Sequence, residues 1–311
     1  MDILNDILDT LDMKGSLYFR TDFSAPWSVT VPDLAQAARF HLVVQGRCHV
    51  TLESDESVVL HPGDLILIPR GTSHILSDAP TDKAPPLETV LEQVGYNGSG
   101  VLVVGEGDAN ATTQMVCGHF TFREQADHPV LRTLPDHIVT TASVRAKNPW
   151  LDDIIRLIGR QMFADQLGSS AAVTRLSEVM FIELLRAGIE DGALSEKLMQ
   201  AFADEHIGRA LEQIHARPTE PWTVESLAHE VGMSRSRFAD RFKQLLGMGP
   251  MSYLSDWRLQ KALSLLDDSR CTVQQVANLT GYQSPAAFTR AFAGKFGIAP
   301  SKYRQNAEVL A

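Results

Sequence analysis

Residues 223–253 read TVESLAHEVGMSRSRFADRFKQLLGMGPMSY, and residues 272–303 read TVQQVANLTGYQSPAAFTRAFAGKFGIAPSKY. The two stretches follow one plan. Val224, Leu227, Ala228 and Gly232 recur 49 residues later as Val273, Val276, Ala277 and Gly281. Phe238, Phe242, Gly247, Pro250 and Tyr253 recur 50 residues later as Phe288, Phe292, Gly297, Pro300 and Tyr303. Agreement at so many positions in so short a window marks a fold unit used twice. In the first copy Thr223 is placed to cap a helix whose inner face is Val224, Leu227, Ala228 and Val231, and Gly232 ends it in a tight turn. Ser234 is placed to cap a second helix with Phe238, Phe242 and Leu245 inside. Two short helices joined through Ala-x-x-x-Gly make a helix-turn-helix. The second copy repeats the plan through Ala277 and Gly281, with a helix from Ser284 carrying Phe288, Phe292 and Phe296. A longer helix, about residues 251–266, joins the units and would set their second helices near one DNA turn apart, ~34 Å.

The faces opposite the core are the candidate DNA readers. At ~100° per residue, Ser236, Ala239, Asp240 and Lys243 lie opposite Phe238 and Phe242. Gln283, Ala286, Arg290 and Ala293 lie opposite Phe288 and Phe292, and Ser284 stands beside them. Arg290 suits a guanine edge and Gln283 an adenine edge. Arg235, Arg237, Arg241, Arg258 and Lys261 flank these faces and suit phosphates.

The stretches WTVESLAHEVGMSRSRFADRFKQLLGMGPMSYL and TVQQVANLTGYQSPAAFTRAFAGKFGIAPSKYR resemble the tandem helix-turn-helix domain of the AraC/XylS family of bacterial transcription regulators. The resemblance covers residues 205–304. It implies an asymmetric site on double-stranded promoter DNA, read in two successive major grooves, and contact with RNA polymerase. Ala239 and Asp240 stand where some members place longer polar or basic readers, so the first unit is expected to read fewer bases directly.

Charge distribution agrees. The chain has 311 residues and a net charge of −10, which by itself argues against a polyanionic partner. Yet residues 205–311 hold 13 Lys and Arg against 10 Asp and Glu, a net of +3, while residues 1–204 hold 15 against 28, a net of −13. A mildly basic end on an acidic body permits a nucleic-acid domain there. The opening MDILNDILDT is acidic and amphipathic, unlike a signal peptide, and no apolar run reaches the ~18 residues of a membrane span. Three cysteines, Cys48, Cys117 and Cys271, form no disulfide framework and fit a reducing cytoplasm.

Residues 16–145 read as β structure. Short apolar runs at 28–31, 41–44, 58–60, 65–68 and 101–104 are separated by Gly, Pro, Asp and Asn, a sandwich or barrel pattern. Residues 81–86 read as a loop. Residues 61–74, HPGDLILIPRGTSH, fit G-x5-P-x-G-x2-H and resemble the second motif of the cupins, small β-barrels common as sensor domains of AraC-type regulators. The resemblance places His74 at a metal-ligand position, and His41 stands where cupins often put their first histidine. The usual second histidine is Val43 here, and the usual glutamate has no counterpart. Cys117 and His119 share one face of a strand, so His41, His74, Cys117 and His119 form a candidate site for Zn or another divalent metal. Two alternatives stay open: hydrogen-bonded core histidines beside a small buried thiol, or Cys117 as a redox-reactive thiol activated by His119. The Cys-Gly motif resembles a cupin subgroup in which some regulators respond to oxidants. His49, His61, His128 and His137 read as surface or turn residues.

Asn148-Pro149 opens a helix with Leu151, Ile154, Ile155 and Ile158 on one face. A second helix, about 171–187, carries Val173, Leu176, Val179, Met180, Ile182 and Leu184. The pair would support a homodimer or form a plain hairpin on the β domain. The expected class is α+β: a cupin-like β-barrel at 1–145, a helical linker or dimerisation segment at 146–204, and an all-α tandem helix-turn-helix domain at 205–311. The expected function is a cytoplasmic transcription regulator, an activator or repressor, coupling a small-molecule, metal or oxidant signal to promoter binding. The rival is a metal-dependent cupin oxygenase with an accessory DNA domain, which the missing histidine and glutamate count against.

Overall fold

Short apolar runs and frequent turn residues build two sheets from the first half of the chain, the central strands β3 and β6 being buried on both faces. The computed structural model describes residues 3–35, 37–105, 112–123, 125–126, 131, 134–162, 167–190, 196–268 and 270–310. Strands β1 (Lys14–Ser24), β2 (Ser28–Val31), β3 (Ala37–Gln45), β4 (Cys48–Leu52), β5 (Ser57–Leu60), β6 (Leu65–Ile68), β7 (His74–Ser77), β8 (Val101–Val104), β9 (Thr112–Thr121) and β10 (Ile138–Thr140) form a six-stranded sheet, β10-β6-β3-β9-β1-β8, and a four-stranded sheet, β2-β7-β4-β5. Their inner faces share one core, with Phe23, Val31, Val50, Ile66, Leu76, Met115 and Cys117 among its residues.

The outer face of the six-stranded sheet is covered by helix. Helices α3 (Ala142–Lys147), α4 (Pro149–Met162) and α5 (Ser169–Glu190) follow β10, and α4 and α5 pack together. Phe181 of α5 meets Phe120 of β9 at 4.8 Å between ring centres, and Phe120 stacks on Phe40 of β3. This is why the residue after Cys117 is glycine: a Cβ on Gly118 would stand 2.5 Å from the Phe40 ring and 2.7 Å from the Ser16 carbonyl. The hairpin therefore lies on the β domain. Val179, assigned to the apolar face of the second helix, is 45% exposed instead. A short helix, α2 (Leu87–Gln93), follows the 81–86 loop.

Two compact units result: residues 13–122 with 134–194, and residues 1–12 with 123–133 and 195–311. The division differs from the expected boundaries at the chain's start and in the middle. Helix α1 (Ile3–Leu11) belongs with the C-terminal helices, and the α4–α5 hairpin belongs with the sheets. Helix α1 buries Ile7, Leu8 and Leu11 on one face.

The C-terminal unit continues through α6 (Glu196–Ala203), α7 (Glu205–Ala216), α8 (Val224–Glu230), α9 (Arg235–Leu246), α10 (Pro250–Asp267), α11 (Val273–Leu279), α12 (Pro285–Phe296) and α13 (Pro300–Leu310). The repeat in sequence is a repeat in contacts. Thr223 and Thr272 each close a capping box. Met233 N–H donates to the Ala228 carbonyl at 2.8 Å, and Tyr282 N–H donates to that of Ala277 at 2.9 Å. Phe238 and Phe242 meet at 5.7 Å, Phe288 and Phe292 at 5.6 Å. Phe242 meets Tyr253 at 5.7 Å, and Phe292 meets Tyr303 at 5.8 Å. One cap differs from expectation: Ser284 accepts from Ala287 N–H, whereas Ser234 holds the N-cap position without a side-chain bond. Among the described residues no helix is long and apolar enough to cross a membrane.

Candidate DNA interface and sensor pocket

Helices α9 and α12 turn their phenylalanines inward, which leaves the opposite side to solvent. Arg235, Ser236, Arg237, Asp240 and Lys243 are exposed on α9, and Ala239 is half-buried. Gln283, at the start of the second unit's turn into α12, is exposed, as are Ala286 and Arg290 on that helix. Ser284 is half-buried and occupied as the cap of α12. Beside α9 lies an open cleft of about 590 Å³ lined by Asp204, His206, Ser236, Arg237, Asp240 and Arg241 among others. Its two carboxylates, Asp204 and Asp240, offset part of the positive charge of α9.

Three of the five expected phosphate binders are held elsewhere. Arg241 pairs with Asp204, the N-cap of α7, at 3.0 Å. Arg258 donates to the carbonyls of Pro218 and Glu220, each at 2.7 Å. Lys261 donates to Asp6 at 3.0 Å. Arg235 and Arg237 keep the exposure that a phosphate contact requires. The Gly281 turn is tightly packed: φ is +78°, and a Cβ would come within 2.8 Å of the Thr219 backbone and 2.9 Å of the Arg258 side chain.

Sequence inspection missed a buried node in this unit. Asp6 of α1 accepts from His215 Nδ1 at 2.9 Å and from Lys261 at 3.0 Å, and the Tyr253 hydroxyl donates to His215 Nε2 at 2.9 Å. The indole of Trp257 lies 4.1 Å from the His215 ring. Hydrogen bonds from His215 and Lys261 hold the Asp6 carboxyl below its ordinary range despite burial, and burial holds His215 below its own. No local motif announces a partnership across 209 residues.

In the β domain, β3 and β9 pair with His41 opposite Cys117, and β7 delivers His74 to the same place. Cys117 Sγ lies 3.1 Å from His41 Nδ1, His41 Nε2 lies 2.8 Å from His74 Nε2, and His74 Nδ1 lies 2.8 Å from the Thr72 carbonyl. The carbonyl accepts only, so His74 donates from Nδ1 and accepts at Nε2. His41 then donates from Nε2 and accepts the thiol proton at Nδ1. The assignment agrees with the environment. Burial pushes His41 well below the usual imidazole range and His74 to about 4, and it pushes the Cys117 thiol far up. Cys48, also buried, is raised to about 12. The buried Arg39, on the same face of β3 as His41, adds a positive field that acts on all three groups.

As placed, His41 meets Cys117 through Nδ1 and His74 through Nε2, so these three side chains form a hydrogen-bonded chain. His119 lies two residues along β9, opposite Arg39, and is half-buried. The base beside Cys117 is therefore His41, where the redox reading expected His119. His41 and Cys117 also border a cavity of about 20 Å³ walled by Phe19, Phe23, Leu76, Leu102 and Met115. That is room for about one water molecule. Of the remaining histidines, His61 is exposed, and His137 lies 3.7 Å from Glu56. His49 sits on β4 at 8% exposure, buried rather than superficial. His128 lies outside the described residues.

Residues 2–190 match a family model described as Cupin, and residues 227–306 match one described as a helix-turn-helix domain. The chain is 31% identical to the HTH-type transcriptional regulator AlkR of Acinetobacter baylyi, over 98% of this chain and 99% of that protein. It is 29% identical to a putative AraC-like transcription regulator of Streptomyces lividans, over 98% and 99%. Among solved structures, the DNA-binding domain of AdpA in complex with a target DNA is 30% identical over 34% of this chain and 95% of that one, with a TM-score of 0.32.

Proposed function

The chain belongs to the AraC-like HTH-type transcriptional regulators with an N-terminal cupin domain, and we propose that it reads an asymmetric promoter site mainly through α12. The observation that carries this reading is the exposed surface of Gln283, just ahead of α12, and of Ala286 and Arg290 on that helix, which Phe288 and Phe292 lock from behind. Arg290 makes the bidentate guanine contact, Gln283 reads adenine, and Arg235, Arg237 and Lys243 anchor phosphates. Ser236, Ala239 and Asp240 give the first unit a smaller share of base readout. Selection of bound duplexes from a random pool tests this: the selected site should contain two half-sites of unequal information content, with preference at one base of the stronger relaxed in Arg290→Ala.

The signal is a small-molecule effector received in the cupin domain, and the cavity beside His41 and Cys117, with room for about one water molecule, has to widen to admit it. The hydrogen-bonded chain from Cys117 to Thr72 supports a fixed polar wall for that pocket. An oxidant acting on Cys117 is the second reading, favoured by the contact between its sulfur and His41. Exposed Trp150, Leu157 and Val179 on the outer faces of α4 and α5 support homodimer formation through the hairpin. RNA polymerase is the partner at the promoter, and the site of action is the cytoplasm. Elemental analysis tests the polar-wall reading: it should find no stoichiometric divalent metal in freshly purified protein, and a stoichiometric metal lost in His41→Ala would overturn it.

A further inference from the structure

Within the cupin unit, the start of β2, the end of β7, the loop after β7 and helix α2 enclose an open cleft of about 380 Å³. That volume lies within the ~300–1,000 Å³ usual for small-molecule pockets. The cleft shares no lining residue with the cavity of about 20 Å³ beside His41 and Cys117. The two spaces are neighbours: Phe23 borders the inner cavity, Trp27 borders the cleft, and their rings meet at 4.9 Å. The cleft is built in advance of any occupant. Trp27 N–H donates to the Asp78 carboxylate and Asp78 N–H donates to the Trp27 carbonyl, each at 3.1 Å. The loop is stitched to the sheet. Thr30 N–H donates to the Pro85 carbonyl at 2.8 Å, the Thr30 hydroxyl to that of Ala84 at 2.9 Å, and the Thr51 hydroxyl to that of Thr81 at 3.3 Å. Pro80, Pro85 and Pro86 stiffen it further.

The lining narrows the chemistry of an occupant. Pro26, Trp27, Val90 and Val94 supply apolar wall. Among the described residues that line the cleft, Asp78 alone is charged. An anion would meet that carboxylate with no lining cation to offset it. Two lining residues also carry buried polar atoms with no hydrogen-bond partner among the described residues, Trp27 Nε1 and Ser77 Oγ. His49, paired in register with Ser77, adds a third at Nε2. A buried donor left unpaired is costly, and an indole N–H can only donate. The group that relieves it is an acceptor oxygen.

We propose that this cleft is a second small-molecule site of the cupin unit, one that takes an uncharged organic molecule with an apolar body and one acceptor oxygen: a ketone, ester or lactone. The body lies against Trp27, Val90 and Val94. The oxygen accepts from the Trp27 indole and the Ser77 hydroxyl, both side chains turning slightly to meet it. An amine would pair with Asp78 but leave the indole N–H without an acceptor. The site stands apart from the cavity beside His41 and does not depend on where the regulator receives its signal.

The test uses the full chain and four probes that share a phenyl ring: acetophenone, ethylbenzene, benzoate and benzylamine. Binding is followed by nuclear magnetic resonance, through the indole N–H of Trp27, assigned by its absence in Trp27→Phe, and through the backbone amides of the 78–86 loop. A fragment of this size is expected to bind with a Kd of about 1 mM. Acetophenone should move the Trp27 indole resonance saturably, and the other three should bind about threefold or more weakly, the effect of losing one hydrogen bond. Trp27→Phe keeps the ring without the N–H, and Ser77→Ala removes the hydroxyl. Each should weaken acetophenone by about threefold or more. No movement at about 10 mM, equal binding of ethylbenzene, equal or tighter binding of either charged probe, or undiminished binding in either variant overturns the proposal. If Trp27→Phe misfolds, Ser77→Ala and the four probes decide on the loop amides alone.

Discussion

Asp6 and His215 share a buried hydrogen bond of 2.9 Å that joins α1 to α7, the helix just ahead of the helix-turn-helix repeat. His215 is fully engaged, donating at Nδ1 and accepting the Tyr253 hydroxyl at Nε2. Removing Asp6 therefore leaves a buried imidazole N–H unpaired and Lys261 without its counter-charge. Asp6→Ala is expected to destabilise the C-terminal unit by about 2–4 kcal/mol, the range for breaking a buried charge-assisted bond. Urea unfolding of the full chain checks it, and an unmoved transition for that unit would refute the structural role.

Arg290→Ala should weaken binding to the selected operator by about 1–3 kcal/mol and relax preference at one base position. Lys243→Ala should instead weaken all sequences alike and reduce the salt dependence by about one ion. Titrations of the selected duplex and a scrambled one at several salt concentrations separate the two. Uniform loss in Arg290→Ala would remove it from the base-reading face.

Gly281→Val meets two penalties at once, a positive φ and a backbone 2.8 Å from the new Cβ. It should displace α12 and abolish specific binding while the cupin domain still unfolds at its native midpoint. Retained operator affinity in this variant would mean that the turn has more room than its packing indicates.

Stability of the cupin domain should fall with pH in a defined window. His41 and His74 are neutral when folded, with His74 held at about 4, while an unfolded histidine titrates near 6.5. The unfolded chain thus takes up protons first as pH drops. The contribution is complete above about 6.5 and is lost progressively toward pH 4, amounting to roughly 3 kcal/mol for His74 alone. Asp6 and Asp204, held below the ordinary carboxylate range, stay ionised through that window and do not offset the loss. Chemical denaturation at pH 7.5 and pH 5 should show the drop in native protein and a smaller one in His74→Asn. A flat profile contradicts the neutral chain.

Cys117 decides between the two signal readings. With its proton shared to His41 and its side chain buried, it should react slowly with thiol reagents in the folded chain and quickly in urea. Cys117→Ser keeps a donor to His41 and should preserve both fold and basal DNA binding. Rapid labelling of the native thiol, with an oxidant response lost in Cys117→Ser, would favour the redox reading over the organic effector.

The helix-turn-helix repeat was legible because its signals are local. Caps, turn glycines and phenylalanines at i and i+4 act within one or two helical turns, so identity at a fixed offset carries the geometry with it. The strand run at 65–68 and the return through His74 were legible for the same reason. The partners of Arg241, Arg258 and Lys261 were not legible, because a basic residue on a helix looks the same whether it faces solvent or an acceptor far along the chain.

The sequence by itself determined the repeat, the cupin-like β domain before it and the exposed face around Arg290, since short-range periodicity and turn chemistry suffice for these. Tertiary structure alone decided that the first twelve residues join the C-terminal unit, that Asp6 pairs with His215, and that His41 sits between Cys117 and His74 with its lone pair spent. Those outcomes depend on which strand lies beside which and on how deeply each polar group is buried. Burial sets whether an imidazole stays neutral and whether a carboxylate finds a cation, and burial is a property of the assembled fold, not of spacing along the chain.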